Sequence, residues 1–309
     1  MQYIDTHTHL NLAAFKDDYD EVTTKTLAEG VWMINVGTQY DTSVFAVELL
    51  NRYEMGVYAT VGLHPHHTTK SFFDANELTE DKKTSADTGE VFDAKIYKEL
   101  AQHPKVVAIG ECGLDYFHDI EDDAWKKQVE AFEAQIAFAN EVGKPLMLHL
   151  RNGARGSAYR DAYAILKRDS KVLGNAHFFA GSLEEAKLFW EMGYSTSFTG
   201  VITFAHQYDE IVVQAPDGLI HAETDAPYVA PIPFRGKRNE PIHVRDLRCD
   251  TVKLLRASMG MRMRMGEKRI HAPLFSSFFL HPAVAGRTRN FINSLLRTRY
   301  SYTRSTSIM

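Results

Sequence analysis

The sequence predicts an α/β fold, a (β/α)8 TIM barrel that is incomplete or atypical at its C-terminus. Two observations support this. Short apolar runs alternate with helical segments over residues 1–241, and histidines and acidic residues stand where the predicted strands end. Eight strands that alternate with helices over about 225 residues are typical of a barrel, whose active site lies at the C-terminal ends of its strands. An open eight-stranded sheet is the alternative.

The predicted strands are short runs rich in Val, Ile and Tyr, as expected for parallel strands buried on both faces. There are eight of them: residues 3–5, 31–37, 57–63, 105–111, 145–149, 175–178, 195–198 and 219–223.

Helices are predicted between several of these strands. Apolar residues at three- and four-residue spacing mark one face of residues 119–142: Trp125, Val129, Phe132, Ile136 and Ala139. A second helix is predicted over 183–192, with Ser182 as its N-cap. Residues 68–95 are polar and acidic, and we expect an exposed insertion or loop there.

Composition limits the classes of function. The net charge of −5 argues against general electrostatic binding to nucleic acid or anionic membranes, although it allows a local basic groove. Cys112 and Cys249 are too few for a disulfide framework. No run reaches the roughly 18 apolar residues that a membrane span needs, and no cleaved signal is visible. We expect a monomeric cytoplasmic protein, or a nuclear one if the source is eukaryotic, without a membrane partner.

The charge reverses after position 241. Residues 242–309 contain 13 Lys and Arg against 3 acidic residues, whereas residues 1–241 contain 22 against 37. We therefore divide the chain into a barrel, 1–241, and an atypical basic segment, 242–309. Three interpretations of this segment stay open: a basic extension that binds nucleic acid, a disordered tail, or translation in a shifted reading frame.

The candidate metal ligands begin with His7 and His9 in Asp5-Thr6-His7-Thr8-His9. Two histidines at i and i+2 of an extended segment point to the same side and can chelate one ion. Four further residues stand at predicted strand ends: Glu111, His149, His177 and Asp225. Any one of them alone is more often a satisfied core residue. Together they converge in a barrel, and their mixture of nitrogen and oxygen donors suits Zn, Mn or Mg, with room for two ions.

Six ordered segments resemble the motifs of the TatD family of metal-dependent deoxyribonucleases, which belongs to the amidohydrolase-like barrels. They are DTHTH, VGLHPH, GECGLDYF, HFFAGS, ETDAPY and RGKRNEP. The resemblance covers roughly residues 1–241. The fourth segment departs from the family, which usually has Cys-Phe-Ser-Gly after the histidine.

The resemblance implies a role for each ligand. His7, His9 and Asp225 would hold one divalent ion, His149 and His177 the second, and Glu111 would bridge the two. Asp225 could also accept the proton of the attacking water.

The predicted substrate contacts come from two places. His64 and His66 end the third strand, where the first of these histidines faces the cleft in the family. Arg235 and Arg238, with Lys237 between them, follow the last strand, and such cations can neutralise a nucleic-acid backbone. Both sets have a simpler interpretation as turn or solvated residues. Tyr116, Phe117 and Tyr228 could stack bases or simply wall the barrel mouth.

The function that the resemblance implies is a metal-dependent deoxyribonuclease, a 3′→5′ exonuclease that prefers single-stranded DNA and also accepts RNA as a partner. The rivals are an amidohydrolase, a lactonase or an aminoacyl-tRNA ester hydrolase on the same metal site, and a non-catalytic nucleic-acid-binding protein. Glu111 and the RGKR segment favour phosphodiesters over the first group. The complete ligand set argues against the last.

Overall fold

The computed structural model describes residues 3–69, 74–77, 89–117 and 121–247. Eight strands alternate with helices along this part of the chain. The strands are β1 Tyr3–Thr8, β2 Val31–Val36, β3 Val57–Val61, β4 Val106–Asp115, β5 Leu146–Arg151, β6 Gly174–His177, β7 Ser195–Phe198 and β8 Ile220–Ala222.

These strands form one parallel sheet in the order of the chain, β1 to β8. The segment just after β8 pairs with β1 through a parallel bridge between Ala226 and Thr8. Two backbone hydrogen bonds support this bridge: Asp225 N donates to His7 O at 2.9 Å, and His9 N donates to Ala226 O at 2.8 Å. The sheet is thus a nearly closed barrel, and the predicted TIM-barrel fold is confirmed.

Seven helices cover the outside of the barrel over the described residues: α1 Tyr19–Ala28, α2 Tyr40–Leu50, α3 Ala94–Gln102, α4 Asp122–Val142, α5 Ala158–Asp169, α6 Leu183–Glu191 and α7 Asp209–Gln214. The predicted apolar face of α4 packs inward, with Phe132, Ile136 and Ala139 fully buried. Ser182 caps α6 as predicted, in a capping box in which Ser182 Oγ accepts from Glu185 N at 3.2 Å.

β4 differs most from the prediction, because it continues past Glu111 to Asp115. Gly110 and Gly113 lie where the backbones of β4 and β5 come close together. A Cβ at Gly113 would lie 2.1 Å from His149 O, and a Cβ at Gly110 would lie 2.2 Å from Met147 O. The pairing register shifts between Ile109 and Cys112. Glycine inside a strand marks such an irregularity or a close backbone approach, so Glu111 lies within a strand and not at its end.

The predicted boundary at 241 falls inside a short helical segment that packs on the barrel. Pro241–His243 form a 3-10 turn against β1 and β2, and residues 244–247 are helical. Val244 and Leu247 are buried, and Arg245 Nη1 lies 2.7 Å from Glu29 Oε2. The rest of the predicted basic segment, from residue 248 onward, lies outside the described residues. Among the helices that the structure does describe, none is long and apolar enough to cross a membrane.

Candidate metal centre

His7 and His9 face each other at the C-terminal end of β1. Their Nε2 atoms are 3.0 Å apart, and both residues are buried. His9 Nδ1 lies 2.9 Å from Val36 O. A carbonyl can only accept a hydrogen bond, so His9 carries a proton on Nδ1, and a neutral His9 presents the lone pair of Nε2 to the cluster.

Glu111 connects two groups of histidines. Its Oε2 atom lies 3.3 Å from His7 Nε2 and 3.8 Å from His9 Nε2. Its Oε1 atom lies 2.9 Å from His149 Nδ1 and 2.7 Å from His177 Nε2. Each carboxylate oxygen therefore faces a different pair of imidazole nitrogens.

Asp225 completes the first group. Its Oδ1 atom lies 3.3 Å from His9 Nε2 and 3.7 Å from His7 Nε2. The backbone turns sharply here, with a φ of 54° at Asp225. The bond from Asp225 N to His7 O joins this turn to β1.

His64 stands beside the second group. Its Nε2 atom lies 3.6 Å from Glu111 Oε1, and its Nδ1 accepts a hydrogen bond from His66 N at 3.1 Å. With its Nδ1 lone pair used in this way, a neutral His64 carries its proton on Nε2 and directs it toward the cluster.

The donor spacing fits metal binding. Ligands about 2.1 Å from a tetrahedral ion lie about 3.4 Å from one another. The distances among His7, His9, Glu111 and Asp225 scatter around that value, from 3.0 to 3.8 Å. In the second group, His149 Nδ1 and His177 Nε2 are 3.4 Å apart.

The electrostatics of the cluster favour a cation. Burial alone would raise the pKa of Glu111, but His177, His7 and His64 outweigh it and hold that pKa well below its usual value. Burial, reinforced by His177, lowers the pKa of His7 to about 4. Burial also opposes the charge of His149, yet its bonds to Asp115 and Glu111 raise its pKa to about 9. Protonated histidines thus balance the negative charge of the buried carboxylates. Metal ions that bind such a site release those protons.

Two carboxylates behind the histidines were not predicted. Asp115 Oδ2 lies 2.8 Å from His149 Nε2 and 3.0 Å from His66 Nε2. Glu223 Oε1 lies 3.4 Å from His177 Nδ1, which makes no hydrogen bond to any described residue, and it accepts a hydrogen bond from Phe178 N at 2.5 Å. A carboxylate bonded to a histidine, as Asp115 is to His149, fixes the tautomer and orientation of a metal-binding histidine. The sequence held one signal for Asp115. It lies four residues after Glu111, and residues an even number apart on one strand share a face.

The cluster forms the floor of a cavity of about 610 Å³. Its wall includes His64 and His66, the two predicted substrate contacts from the loop after β3. Asp74 and Glu77 also line it, so part of the predicted exposed insertion contributes to the site. Asp74 Oδ2 accepts a hydrogen bond from Tyr228 Oη at 2.7 Å, which holds that aromatic ring at the wall.

Arg235 and Arg238 do not line this cavity. Arg238 donates to both carboxylate oxygens of Asp18, with Nη1 2.9 Å from Oδ1. Arg235 stacks over Phe204, its Cζ 3.8 Å from the ring centroid. Proximity to Asp225 in the sequence suggested a role at the site, but these cations are held by other surface residues. Among the described residues, Arg151 is the one Lys or Arg that lines the wall; it lies two residues after His149 on β5 and was not predicted.

Comparison with known proteins agrees with the resemblance of the six segments. The family described as TatD related DNase matches residues 4–260, so the match continues past the predicted boundary at 241. An uncharacterized metal-dependent hydrolase, YabD, from Bacillus subtilis (strain 168) is 38% identical over 78% of this chain and 86% of its own length.

A second relative carries a more specific name. The 3′-5′ ssDNA/RNA exonuclease TatD from Erwinia billingiae (strain Eb661) is 31% identical over 77% of this chain and 85% of its own length. Among solved structures, the TatD homolog YJJV from Escherichia coli k12 superposes with a TM-score of 0.71 at 24% identity. That match covers 92% of this chain and 97% of the other.

Proposed function

The chain belongs to the TatD-related DNase family of metal-dependent hydrolases, and we propose that it hydrolyses the phosphodiester bonds of DNA. We propose further that it removes nucleotides from the 3′ end, that it prefers single strands and accepts RNA, and that it uses two divalent ions. The name of the Erwinia relative supports the substrate and the polarity. A TIM barrel by itself supports neither, because this fold carries many chemistries.

One observation carries the proposal: the two oxygens of Glu111 face two separate histidine pairs. A carboxylate that bridges two ions has this arrangement. We propose His7, His9 and Asp225 as the remaining ligands of one ion, and His149 and His177 as those of the other. The donor set suits Mg, Mn or Zn.

Two divalent ions at this position would polarise the phosphoryl oxygens and ease the deprotonation of a water. The protein's own residues do the rest. Asp225 accepts the proton of the attacking water through the carboxylate oxygen that is not turned toward the histidines. His64 donates a hydrogen bond from Nε2 to a phosphoryl oxygen, and its bond from His66 N keeps the ring in that tautomer.

The test is an assay of single-stranded DNA labelled at its 5′ end, with Mg²⁺, Mn²⁺ or Zn²⁺ added to metal-free protein. We expect a ladder that shortens from the 3′ end. Glu111→Gln should abolish it, whereas Glu141→Gln, an exposed glutamate paired with Lys98, should not. A wild type that leaves DNA and RNA intact with every metal but hydrolyses a lactone or an aminoacyl ester would replace this proposal with one of its rivals.

A further inference from the structure

Arg151 is the one Lys or Arg among the residues that line the cavity in the described part of the chain. The same lining contains five carboxylates: Asp74, Glu77, Glu111, Asp115 and Asp225. An arginine in such surroundings is expected to form an ion pair. The guanidinium of Arg151 nevertheless contacts no carboxylate among the described residues, and its side chain is exposed.

The guanidinium of Arg151 stacks on an aromatic ring. Its Cζ lies 3.5 Å from the centroid of the ring of Phe117, which follows the end of the neighbouring strand β4 by two residues. Phe117 is itself 53% exposed, which is unusual for a large apolar side chain. Contact with a ring face uses none of the five N–H donors of a guanidinium, so these donors remain for a ligand.

The chain positions this pair beside the metal centre. Arg151 and His149 are two residues apart on β5, which places them on the same side of the strand and roughly 6.6 Å apart along it. Because the C-terminal ends of the strands form the mouth of the barrel, Arg151 lies on the outer side of the metal-binding histidines.

We propose that Arg151 and Phe117 form a subsite for the nucleotide next to the scissile phosphodiester. Arg151 binds the phosphate of that nucleotide, and Phe117 stacks on its base. This inference rests on the proposed function. It adds the location of the binding site for the neighbouring nucleotide. The chemistry fits both parts, because a guanidinium pairs with phosphate oxygens through two parallel hydrogen bonds and an aromatic ring stacks on any base.

Arg155 supplies a matched control. It also stacks on an aromatic ring, with Cζ 4.4 Å from the centroid of Trp125, but it is paired with Asp122 at 2.8 Å. It does not line the cavity. Arg155→Met therefore repeats the chemical change of Arg151→Met outside the proposed subsite.

The first measurement is binding of a fluorescent, phosphorothioate-linked oligothymidylate, which resists hydrolysis, by the full chain with Mn²⁺. We expect R151M to raise Kd about 10- to 100-fold, as loss of a hydrogen-bonded charge does. R151M should also reduce the slope of log K against log salt by about 0.7, the value for one phosphate contact on a single strand. Phe117→Leu should raise Kd about 10-fold through lost stacking and leave the salt slope unchanged. R155M should bind as the wild type does.

The second measurement compares hydrolysis of an oligonucleotide with hydrolysis of methyl p-nitrophenyl phosphate, which has one phosphodiester and neither a nucleobase nor a second phosphate. R151M and F117L should lose far more kcat/KM on the oligonucleotide than on the small ester. If they bind and cleave the oligonucleotide as R155M does, or if the wild type does not bind it, the subsite is refuted. If the wild type binds the oligonucleotide through Arg151 but hydrolyses neither compound, the subsite stands and the proposed phosphodiesterase function fails.

Discussion

Asp115→Asn tests whether the carboxylate behind the histidines sets up the metal centre. Asp115 Oδ1 accepts a hydrogen bond from Phe117 N at 2.9 Å, and Oδ2 lies 2.8 Å from His149 Nε2. In the variant, the asparagine carbonyl oxygen keeps the bond to Phe117 N. Its amide group then points N–H donors at His149 Nε2, which forces that nitrogen to accept and moves the histidine proton to Nδ1. The lone pair of Nδ1, which faces Glu111 and His177, is lost.

We expect the substitution to weaken the binding of one ion more than that of the other. Loss of such an orienting partner weakens metal binding about 10- to 100-fold, which is about 1.4 to 2.7 kcal/mol. Only the second group contains His149, so calorimetric titration of metal-free protein with Mn²⁺ or Zn²⁺ should show one binding step weakened and the other nearly unchanged.

Asp161→Asn is the control for this variant. Asp161 accepts a hydrogen bond from Tyr116 Oη at 2.9 Å and forms no hydrogen bond or ion pair with the described histidines of the metal centre. It should bind both ions as the wild type does. Equal affinities of D115N and D161N for both ions would refute the tautomer argument, provided that both metal-free variants melt near the wild-type temperature.

Three further results are expected. Gly113→Ala should destabilise the barrel by more than about 2 kcal/mol in chemical denaturation, because its Cβ would meet His149 O at 2.1 Å and its φ is 146°. Gly143→Ala, with a φ of 66° and open space around the new Cβ, should cost only about 1 kcal/mol, and equal losses would contradict the steric argument. Burial lowers the pKa of His221 from 6.5 to about 4, so below pH 6.5 the unfolded chain takes up a proton that the native chain does not. The unfolding free energy should therefore fall by up to about 1.4 kcal/mol per pH unit between pH 6.5 and 4 on this account, and His221→Gln should reduce that slope when both are measured by denaturation. An unchanged slope would mean that His221 is not buried as a neutral ring.

The barrel could be predicted from the sequence because strands buried on both faces leave apolar runs that no other element explains as well. β7 was predicted with its observed ends, 195–198. β1 and β4 were predicted too short, because their last residues are polar ligands or follow glycines. In a barrel such residues still pair with the next strand. Their polar side chains are explained by the metal site, which the strand pattern alone does not reveal.

The six predicted ligands come together in the structure because each lies in or just after a strand and all these strand ends meet at one mouth. The contacts around them were harder to predict. Asp115 and Arg151 are ordinary polar residues in sequence, and their importance depends on which neighbour they meet. Arg238 shows the reverse case, since its sequence position suggested the cleft and Asp18 holds it elsewhere.

The most direct test of the account is the metal stoichiometry of the protein and of Glu111→Gln, measured by elemental analysis after dialysis against Mn²⁺ or Zn²⁺. A carboxylate that serves both groups of histidines predicts about two ions for each wild-type chain and less than one for the variant, since an amide cannot bridge two cations with two anionic oxygens. Glu141→Gln should keep both ions. A wild type that holds a single ion, or a Glu111→Gln variant that still holds two, would contradict the account.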